Sequence, residues 1–446
     1  MFPAHYSGGV STRTYLDDAA SAPLYPEVID QMHRDHTDLF ANPSALHTSG
    51  RHCDGLLMEA RERVAACLDA QAHEVMFMGG GTESDALVIA GRAWHWASTR
   101  NTPPVLMVSA VEHPAVMDSA KTAAALTGGR LEIIEVDNQG RVRLDHLDAL
   151  LTKHAQNTAL VSVMSVNNET GTIEPVTDVV QHVRTACQSY AETARAAKNA
   201  ALPSVSSYGG STGNMGNSGL AGALPPVPPS IPVHTDAVAA AGRIPLSFAS
   251  LGVDAMSITA HKIGGPVGIA ALIAKRDLEL TVPMGGGRQE RGIRSGTHDV
   301  VGARALALAL EISCANRDET TARLSDFCQQ LRTMIASLPG VHATITAPAD
   351  HSPAVVHCWC DKADGQALIM ALDMAGIDTS AGSACHAGVP GPSEVLVAMG
   401  YDDARARSTV RFSMGPATTQ TDIDHVLRVF PGALDLARGT WARTHR

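Results

Sequence analysis

Short apolar segments alternate with longer amphipathic segments between about residues 55 and 300 of this chain. From Glu83 onwards apolar side chains recur with a helical period, which predicts a helix over residues 83–96. The short segments are apolar on both faces, as strands of a parallel sheet are when helices cover both sides. They predict strands at residues 74–78, 105–109, 131–136, 159–166, 233–235, 254–259 and 268–274. This alternation predicts an α/β sheet whose ligands bind at the carboxyl ends of the strands.

The pattern changes after residue 303. It predicts a long helix from residue 303 to beyond residue 314, strands near 342–345 and 355–359, and a helix over 365–374. We interpret this part as a smaller α+β domain, because a chain of 446 residues is long enough for two domains. The predicted units are an N-terminal segment, 1–28, that completes the small domain, a large domain, 29–303, and the small C-terminal domain, 304–446.

Residues 191–230 match neither domain, because they are crowded with Ala, Gly, Ser and Pro. Such a composition buries too little apolar surface to offset the entropy that is lost when a segment becomes ordered. We therefore predict a flexible surface insertion within the large domain, one that folding and turnover do not require.

The composition, 45% hydrophobic and 18% charged residues, is that of a globular enzyme. A net charge of -11 argues against nucleic acid or an anionic membrane as a direct partner. No apolar run reaches membrane-spanning length and the first residues lack a signal pattern, so we expect a cytoplasmic location. The eight scattered cysteines favour reduced thiols. Cys358 and Cys360 fit one face of a strand, and without a second ligand pair we expect no resident metal site.

One lysine differs from the other five by its surroundings. Lys262 follows the apolar strand at 254–259, with His261 before it and Gly264 and Gly265 after it, whereas the other lysines lie in polar stretches. A lysine held at a strand end beside glycine-rich backbone can form a Schiff base with a carbonyl cofactor. The alternative for Lys262 taken alone is a solvated loop lysine.

Polar residues follow other predicted strands as well. Gly79–Gly81 with Thr82 can cradle a phosphate at a helix N-terminus, or form an ordinary glycine turn. Asp236 can pair with a protonated ring nitrogen, or cap a helix. His113 can stack on a cofactor ring and transfer protons, or be structural. Asn168 offers an amide to a ring oxygen or a carboxylate, or lies in a turn. Since all of these residues fall at successive strand ends, together they predict one pocket.

Two further segments carry candidate chemistry. Residues 285–297 are rich in glycine and arginine, which suits anion recognition, although a solvated basic loop has the same composition. Residues 380–388 place Cys385 among small residues with His386 beside it, in a predicted mobile loop at about 380–392. Exposure and a neighbouring histidine favour a thiolate nucleophile, and the alternative is a buried, inert cysteine.

Together these residues resemble a pyridoxal-phosphate enzyme of the class V aminotransferase type, and more closely a group I cysteine desulfurase of the NifS/IscS-like branch. The resemblance runs in order through residues 15–23, 41–44, 80–85, 112–113, 166–171, 236, 257–266, 285–297, 380–396 and 408–415. It implies the α/β fold of the fold type I pyridoxal-phosphate-dependent transferases. That fold has a large, mainly parallel seven-stranded sheet domain and a smaller α+β C-terminal domain, and it assembles as a homodimer.

The resemblance also implies roles for individual residues. Lys262 would form a Schiff base with pyridoxal 5′-phosphate and move the α-proton of L-cysteine. Cys385 would attack the substrate sulfur, which gives L-alanine and a persulfide on Cys385. The implied contacts are His113 on the ring face, Asp236 at the ring nitrogen, Gly81, Thr82, Thr259 and His261 at the phosphate, Thr297 at the phosphate in the neighbouring subunit, and Asn168 and Arg411 at the ring oxygen and the substrate carboxylate.

The persulfide sulfur would pass to an acceptor protein, such as an iron–sulfur scaffold or a tRNA-thiolation enzyme. Whether Cys385 also serves as a transient iron–sulfur ligand stays open. Two other hypotheses stay open as well. One is a class V aminotransferase or selenocysteine lyase that acts without Cys385, and the other is a non-enzymatic scaffold that retains the fold.

The chain departs from the family pattern at two places. Ala239 stands where the family has a glutamine that bonds the ring oxygen. The loss of one hydrogen bond costs about 1 kcal/mol, which is enough to retune the cofactor but not to abolish its binding. The second departure is the insertion, which falls just before the strand that bears Asp236.

Overall fold

The computed structural model describes residues 13–200, 230–347, 350–382 and 391–445. Its strands are β1 (Thr14–Tyr15), β2 (Val75–Met78), β3 (Val105–Ser109), β4 (Arg130–Ile134), β5 (Thr158–Ser162), β6 (Val233–Asp236), β7 (Ala255–Thr259), β8 (Ala270–Ala274), β9 (Val341–Ala343), β10 (Val355–Cys360), β11 (Ile377–Asp378) and β12 (Thr409–Ser413). Its α-helices are α1 (Pro26–Asp38), α2 (Thr48–Leu68), α3 (Gly81–Thr99), α4 (Pro114–Thr127), α5 (Leu144–His154), α6 (Val176–Ala200), α7 (Phe248–Leu251), α8 (Val300–Ala315), α9 (Arg317–Ser337), α10 (Gly365–Met374), α11 (Glu394–Ala398), α12 (Asp403–Arg407) and α13 (Gln420–Thr444).

A seven-stranded sheet with the order β2-β8-β7-β6-β5-β3-β4 forms the centre of the larger part of the structure. Neighbouring strands pair in parallel except for β8, which is antiparallel to both β2 and β7. The mainly parallel seven-stranded sheet predicted from the sequence is therefore confirmed. The predicted strand at 105–109 coincides with β3, and the helix predicted over 83–96 lies within α3.

Helices cover both faces of this sheet, which explains why most of its strands are apolar throughout. In β2, for example, Met76 and Met78 face the core beneath α3 and α4, whereas Val75 and Phe77 face the core beneath α2 and α8. Every residue of β2 is buried. Burial of each large apolar side chain stabilises the fold by about 1.5–3 kcal/mol, so both faces hold the sheet in place.

A second core lies between the antiparallel sheet β12-β10-β9 and helices α9, α10 and α13. Cys358 and Cys360 of β10 are both fully buried there and the side chain between them is not, as the predicted alternation requires. The N-terminal segment joins this part of the structure, because β1 pairs with β11 and Leu16 lies in the same core.

The boundary predicted at 303/304 falls inside α8. Residues of α8 from Ala303 to Leu310 lie in the core beneath the seven-stranded sheet, and α9 is the first helix of the second core. A helix that is apolar on nearly every side is buried by two neighbours, and a change of pattern at its start does not mark a domain boundary. The structure therefore supports a boundary after α8, and the other domain limits stay predictions.

The predicted insertion also starts later than its composition indicates. Residues 191–200 belong to α6, because alanines interspersed with Glu, Arg and Lys favour a helix. Residues 201–229 lie outside the described residues. None of the described helices is both long enough and apolar enough to cross a membrane.

Candidate active site

Lys262 lies at the carboxyl end of β7, in a short helical turn that directly follows the strand. The chain then passes Gly264, whose φ is +79° and where a Cβ would stand 2.4 Å from the ring of Tyr25. Only glycine combines this left-handed backbone with such a close approach. The turn that presents Lys262 is therefore held between β7 and the N-terminal segment.

The amine of Lys262 lies in a partly buried, cationic environment. Its Nζ donates a hydrogen bond to the carbonyl of Ala19. Burial and the nearby positive charges of Arg411 and Arg243 lower the pKa of Lys262 to about 8. A substantial fraction of this amine is thus neutral, and able to attack a carbonyl, at a pH where an ordinary lysine is fully protonated.

Asp236 and His113 lie close to Lys262, at the carboxyl ends of β6 and β3. Burial raises the pKa of Asp236. Two effects oppose that rise: the N–H of Val238 donates a hydrogen bond to Oδ1 at 2.8 Å, and the charges of His113 and Lys262 favour the ionised carboxylate. Burial lowers the pKa of His113, although the negative charge of Asp236 acts to raise it. Nδ1 of His113 accepts a hydrogen bond from the N–H of Ala115 at 3.1 Å. The sequence prediction that these three side chains share one pocket agrees with this mutual influence.

The predicted anion cradle lies at the N-terminus of α3. Thr82 is exposed at this helix end, where backbone N–H groups have no partner within the helix. A Cβ on Gly81 would stand 3.0 Å from Val238 and 3.9 Å from Thr259, so the helix end abuts the ends of β6 and β7. Next to it, the hydroxyl of Thr259 lies 3.0 Å from Nδ1 of His261, whose pKa burial lowers to about 4.

Arg411 belongs to β12 and reaches into the same cleft from the smaller part of the structure. Its Nη2 donates to Oδ1 of Asp17 at 2.6 Å and its Nη1 to the backbone carbonyl of Asn168 at 2.8 Å, while Nε is buried without a partner among the described residues. Asn168 and Lys262 both line a narrow cavity beside it. The guanidinium therefore has a free edge and one carboxylate neighbour that a substrate carboxylate could replace.

Cys385 and its neighbour His386 lie outside the described residues. The segment that leads to them starts beside Arg411, because the backbone N–H of Arg411 donates to Ser380 at 2.7 Å. The carbonyl of Ala381 accepts the hydroxyl of Thr409 at 3.2 Å. The chain thus enters the cysteine segment next to the cleft.

Thr297 is not brought to the cradle of its own chain by any contact that the structure describes. It is exposed, and it does not line either of the two cavities beside Lys262. Its neighbour in sequence, Arg294, donates from Nε to Oε1 of Glu83 at 3.2 Å, at the start of α3. The loop therefore contacts the start of α3 through Arg294, while Thr297 is exposed.

Sequence reasoning assigned no role to four charged residues that surround the site. Asp17 binds Arg411, and Arg243 donates to Asp18, to the carbonyl of Lys262 at 3.2 Å and to that of Met414. Asp85 and Glu112 are buried, and burial together with the charge of Asp236 raises the pKa of both carboxyls well above the usual range. Glu112 follows β3 and Asp85 lies in the first turns of α3, whereas Asp17 and Arg243 reach the site only through the fold. Charged residues at such positions are common in any α/β protein.

Among the described residues, no three His, Cys, Asp or Glu side chains are grouped as a metal site requires. Cys358 and Cys360 are free thiols in the second core.

Comparison with known proteins gives consistent results. The family model for class-V aminotransferases matches residues 14–191 and 227–426. The chain is 35% identical over 425 residues to an IscS-like cysteine desulfurase of Mycobacterium tuberculosis, which covers 95% of this chain and 97% of the relative. It is 30% identical to the cysteine desulfurase IscS of Clostridium botulinum, over 95% of this chain and 94% of the relative. A solved NifS-like protein superposes with a TM-score of 0.79 at 27% identity, over 95% of this chain and 99% of that one.

Proposed function

Since this chain belongs to the class-V aminotransferase family, we propose that it is a cysteine desulfurase that uses pyridoxal 5′-phosphate. In the overall reaction the C–S bond of L-cysteine breaks, the sulfur joins the thiol of Cys385 as a persulfide, and L-alanine leaves. The observation that carries the proposal is the convergence of Lys262, Asp236 and His113 at the carboxyl edge of the sheet, beside Arg411. The cysteine desulfurases among its relatives, at 30–35% identity over nearly the whole chain, support it.

The residues present fit pyridoxal phosphate. A Cβ at Gly81 would narrow the space between the start of α3 and Val238, and this helix end supplies N–H donors of the kind that bind phosphate. Asp236 is a buried carboxylate whose partners among the described residues leave one oxygen for a ring nitrogen. Gly81, Thr82, Thr259 and His261 would hold the phosphate, Asp236 the ring nitrogen, and His113 the ring face.

Bound pyridoxal phosphate supplies an electron sink that acidifies the Cα–H bond of an attached amino acid. The chain's own residues then have separable tasks. Arg411 binds the substrate carboxylate in place of Asp17 by a two-pronged pair, which fixes the orientation of Cα. Lys262 would take a proton from Cα of the substrate and later return one. The low pKa of Lys262 suits both transfers near neutral pH.

Asn168 would orient the ring oxygen and the substrate carboxylate. Its neighbour Asn167 is committed to the fold, since its amide donates to Val111 at 3.0 Å and accepts N–H groups of the same turn. Both asparagines line the cavity, but the side chain of Asn168 makes no hydrogen bond that the structure describes, so its amide is the one available to a ligand. Ala239, which follows Asp236 by three residues, lines the same cavity. Because alanine has no amide, this position cannot offer the ring oxygen a second hydrogen bond.

A homodimer is part of the proposal, because Thr297 would complete the phosphate site of a second copy. We place the protein in the cytoplasm and expect an acceptor protein for the persulfide sulfur, in iron–sulfur assembly or tRNA thiolation. Neither nucleic acid nor a membrane is proposed as a direct partner, in view of the net charge of -11.

The proposal is tested with purified full-length chain saturated with pyridoxal phosphate. With L-cysteine and a thiol reductant we expect equal amounts of L-alanine and sulfide, with no need for an oxo acid. Transamination that requires an oxo acid, or activity with selenocysteine but not with cysteine, would favour the alternative enzymes of this family. The absence of any cofactor absorbance after reconstitution would favour a scaffold.

The pKa of Lys262 leads to a pH prediction for the cofactor-free protein. Only the neutral amine attacks the aldehyde, so the rate of covalent attachment of pyridoxal phosphate should rise about tenfold per pH unit below pH ~8 and level off above it. The rate is measured as borohydride-trapped label in the peptide that contains residue 262. Exposed Lys121 is the internal control for non-specific labelling. A rate of Lys262 labelling that keeps rising well above pH ~8 would contradict the cause assigned here.

A further inference from the structure

The segment 285–297, which we call the arginine loop, has a strained backbone. Five residues other than glycine have a left-handed φ in the described chain, and three of them, Arg288 (+56°), Glu290 (+46°) and Arg291 (+60°), lie in this loop. Each L-residue in this conformation costs free energy that the surrounding structure has to offset. Three within four residues indicate that the loop has a defined shape with a purpose other than connection.

A buried ionic cluster holds the centre of the arginine loop. Both oxygens of Glu290 accept hydrogen bonds from Arg61 of α2, at 2.7 and 2.6 Å, and Arg61 also donates to the carbonyl of Val75 at 2.6 Å. Nε2 of His298 lies 3.0 Å from the same carboxylate. Glu290 is only 5% exposed, so its strained backbone is fixed by contacts that solvent does not weaken.

Two further contacts fasten the base of the loop. The guanidinium of Arg291 donates to the carbonyls of Ala274 at 3.0 Å, Lys275 at 3.3 Å and Arg276 at 3.1 Å, just after β8. The side-chain oxygen of Gln289 accepts the N–H of Gly296, at 3.0 Å, and so holds the residue before Thr297. The loop is therefore anchored on its protein side over most of its length.

The parts of the arginine loop that are not anchored face outward. Residues 285–288 are exposed at its tip, and Gly296 and Thr297 are exposed at its end, whereas Glu290 and Ser295 are buried between them. Among the contacts described within the chain, the loop reaches the start of α3 through the hydrogen bond from Arg294 to Glu83. A rigid, cationic loop that offers a hydroxyl and backbone N–H groups to solvent suits an anion held by another molecule.

We infer that Arg61, Glu290 and Gln289 are positioning residues that pre-organise the arginine loop, so that Gly296 and Thr297 complete the phosphate cradle of a second copy of this chain. The inference rests on the proposed function, because it takes the phosphate to be that of pyridoxal phosphate. It also explains why the loop has a strained backbone and why Arg61 and Glu290 form a buried ion pair beneath it. Without the pair, the loop relaxes and the cradle of the other copy loses donors, while the cradle of the same chain keeps Gly81 and Thr82.

The first measurement is the Kd of pyridoxal phosphate for the full-length protein, by equilibrium dialysis. We expect Glu290→Gln to raise the Kd tenfold or more and Gln289→Ala to raise it about threefold, in proportion to the contacts that each removes. The Gln289→Ala variant leaves the buried pair intact and keeps the test decisive if Glu290→Gln does not fold. Glu311→Gln, which breaks the partly exposed Arg63–Glu311 pair between α2 and α8, is the matched control and should leave the Kd unchanged. An unchanged Kd in both loop variants would overturn the inference.

The second measurement asks which copy the loop serves. A heterodimer of one Lys262→Ala chain with one Glu290→Gln or Gln289→Ala chain, purified through two different tags, contains a single lysine able to bind the cofactor. If the loop acts on the other copy, that lysine receives an intact loop, so the Kd returns to the wild-type value and half of the wild-type activity is recovered. If the heterodimer keeps the raised Kd of the loop variant, the loop serves its own chain and the inference is wrong. A wild-type chain that fails to bind pyridoxal phosphate would overturn the proposed function and the inference together.

Discussion

Replacement of Lys262 by alanine should lower the rate of L-cysteine desulfuration by about 10³-fold or more, the upper range for a positioned acid–base group. The variant loses both the amine that attaches the cofactor and the group that carries the Cα proton. The fold should be retained, since the Nζ of Lys262 makes its described hydrogen bond only to the carbonyl of Ala19, at the edge of a cleft. Initial rates of alanine formation, measured with saturating pyridoxal phosphate, give the size of the loss.

The matched control is Lys121→Ala. Lys121 lies on the surface of α4, where it pairs with Asp118, and its replacement should leave the rate unchanged. Borohydride reduction of the wild-type protein followed by peptide mapping tests the same assignment independently of activity. A label at a residue other than Lys262, or a Lys262→Ala protein with more than a tenth of the wild-type rate, would be incompatible with the proposed mechanism.

Replacement of Cys385 by alanine should reduce release of sulfide from L-cysteine on the order of 10²–10⁴-fold, as expected when a positioned catalytic group is removed. The reason is that none of the seven described thiols lines either cavity beside Lys262. Cys53, Cys328, Cys358 and Cys360 are buried, and the half-buried thiols Cys67, Cys314 and Cys187 lie on α2, α8 and α6. Persulfide on the protein is measured by alkylation and mass spectrometry after a single turnover.

This loss should leave cofactor binding intact, which separates the second prediction from the first. The visible spectrum of the Cys385→Ala protein should still change when L-cysteine is added, because Lys262 and Arg411 are unaltered. Cys187→Ser is the control thiol, whose weak contact is the N–H of Ile231 at 3.5 Å from its sulfur, and it should behave as wild type. Full desulfuration without Cys385 would instead indicate a lyase that works without a protein persulfide.

Most of the site could be found from the sequence because its residues follow a local rule. Asp236 is the last residue of β6, and His113 and Lys262 follow β3 and β7 within four residues. Parallel strands bring their carboxyl ends to the same edge of the sheet. Arg411, in contrast, was assigned through the family resemblance, since a residue inside a strand of the second core carries no such positional signal. The environment that lowers the pKa of Lys262 was not predictable, because it depends on burial in the folded chain and then on the charges of Arg411 and Arg243.

Two predicted boundaries differ from the ends of the helices in the structure for an identifiable reason. Alanine-rich sequence was interpreted as insertion at residues 191–200, although alanine is the strongest helix former and the segment continues α6. The change of pattern at residue 303 was interpreted as a domain boundary, although α8 belongs to the first core. In both cases the sequence pattern indicates helix propensity and which side chains are buried. Neither property identifies the element that a helix packs against.

The sequence by itself determined the sheet, the order of its strands along the chain and the choice of Lys262 and Cys385 as the candidate lysine and thiol. It could do so because periodicity encodes which face of each element is buried, over distances of a few residues. Only the tertiary structure decided that Asp17 faces Arg411, 394 residues away, and that Arg61 holds Glu290, 229 residues away. Pairs of this kind stabilise a charge or a strained loop only when the whole topology brings them together, so no local pattern records them.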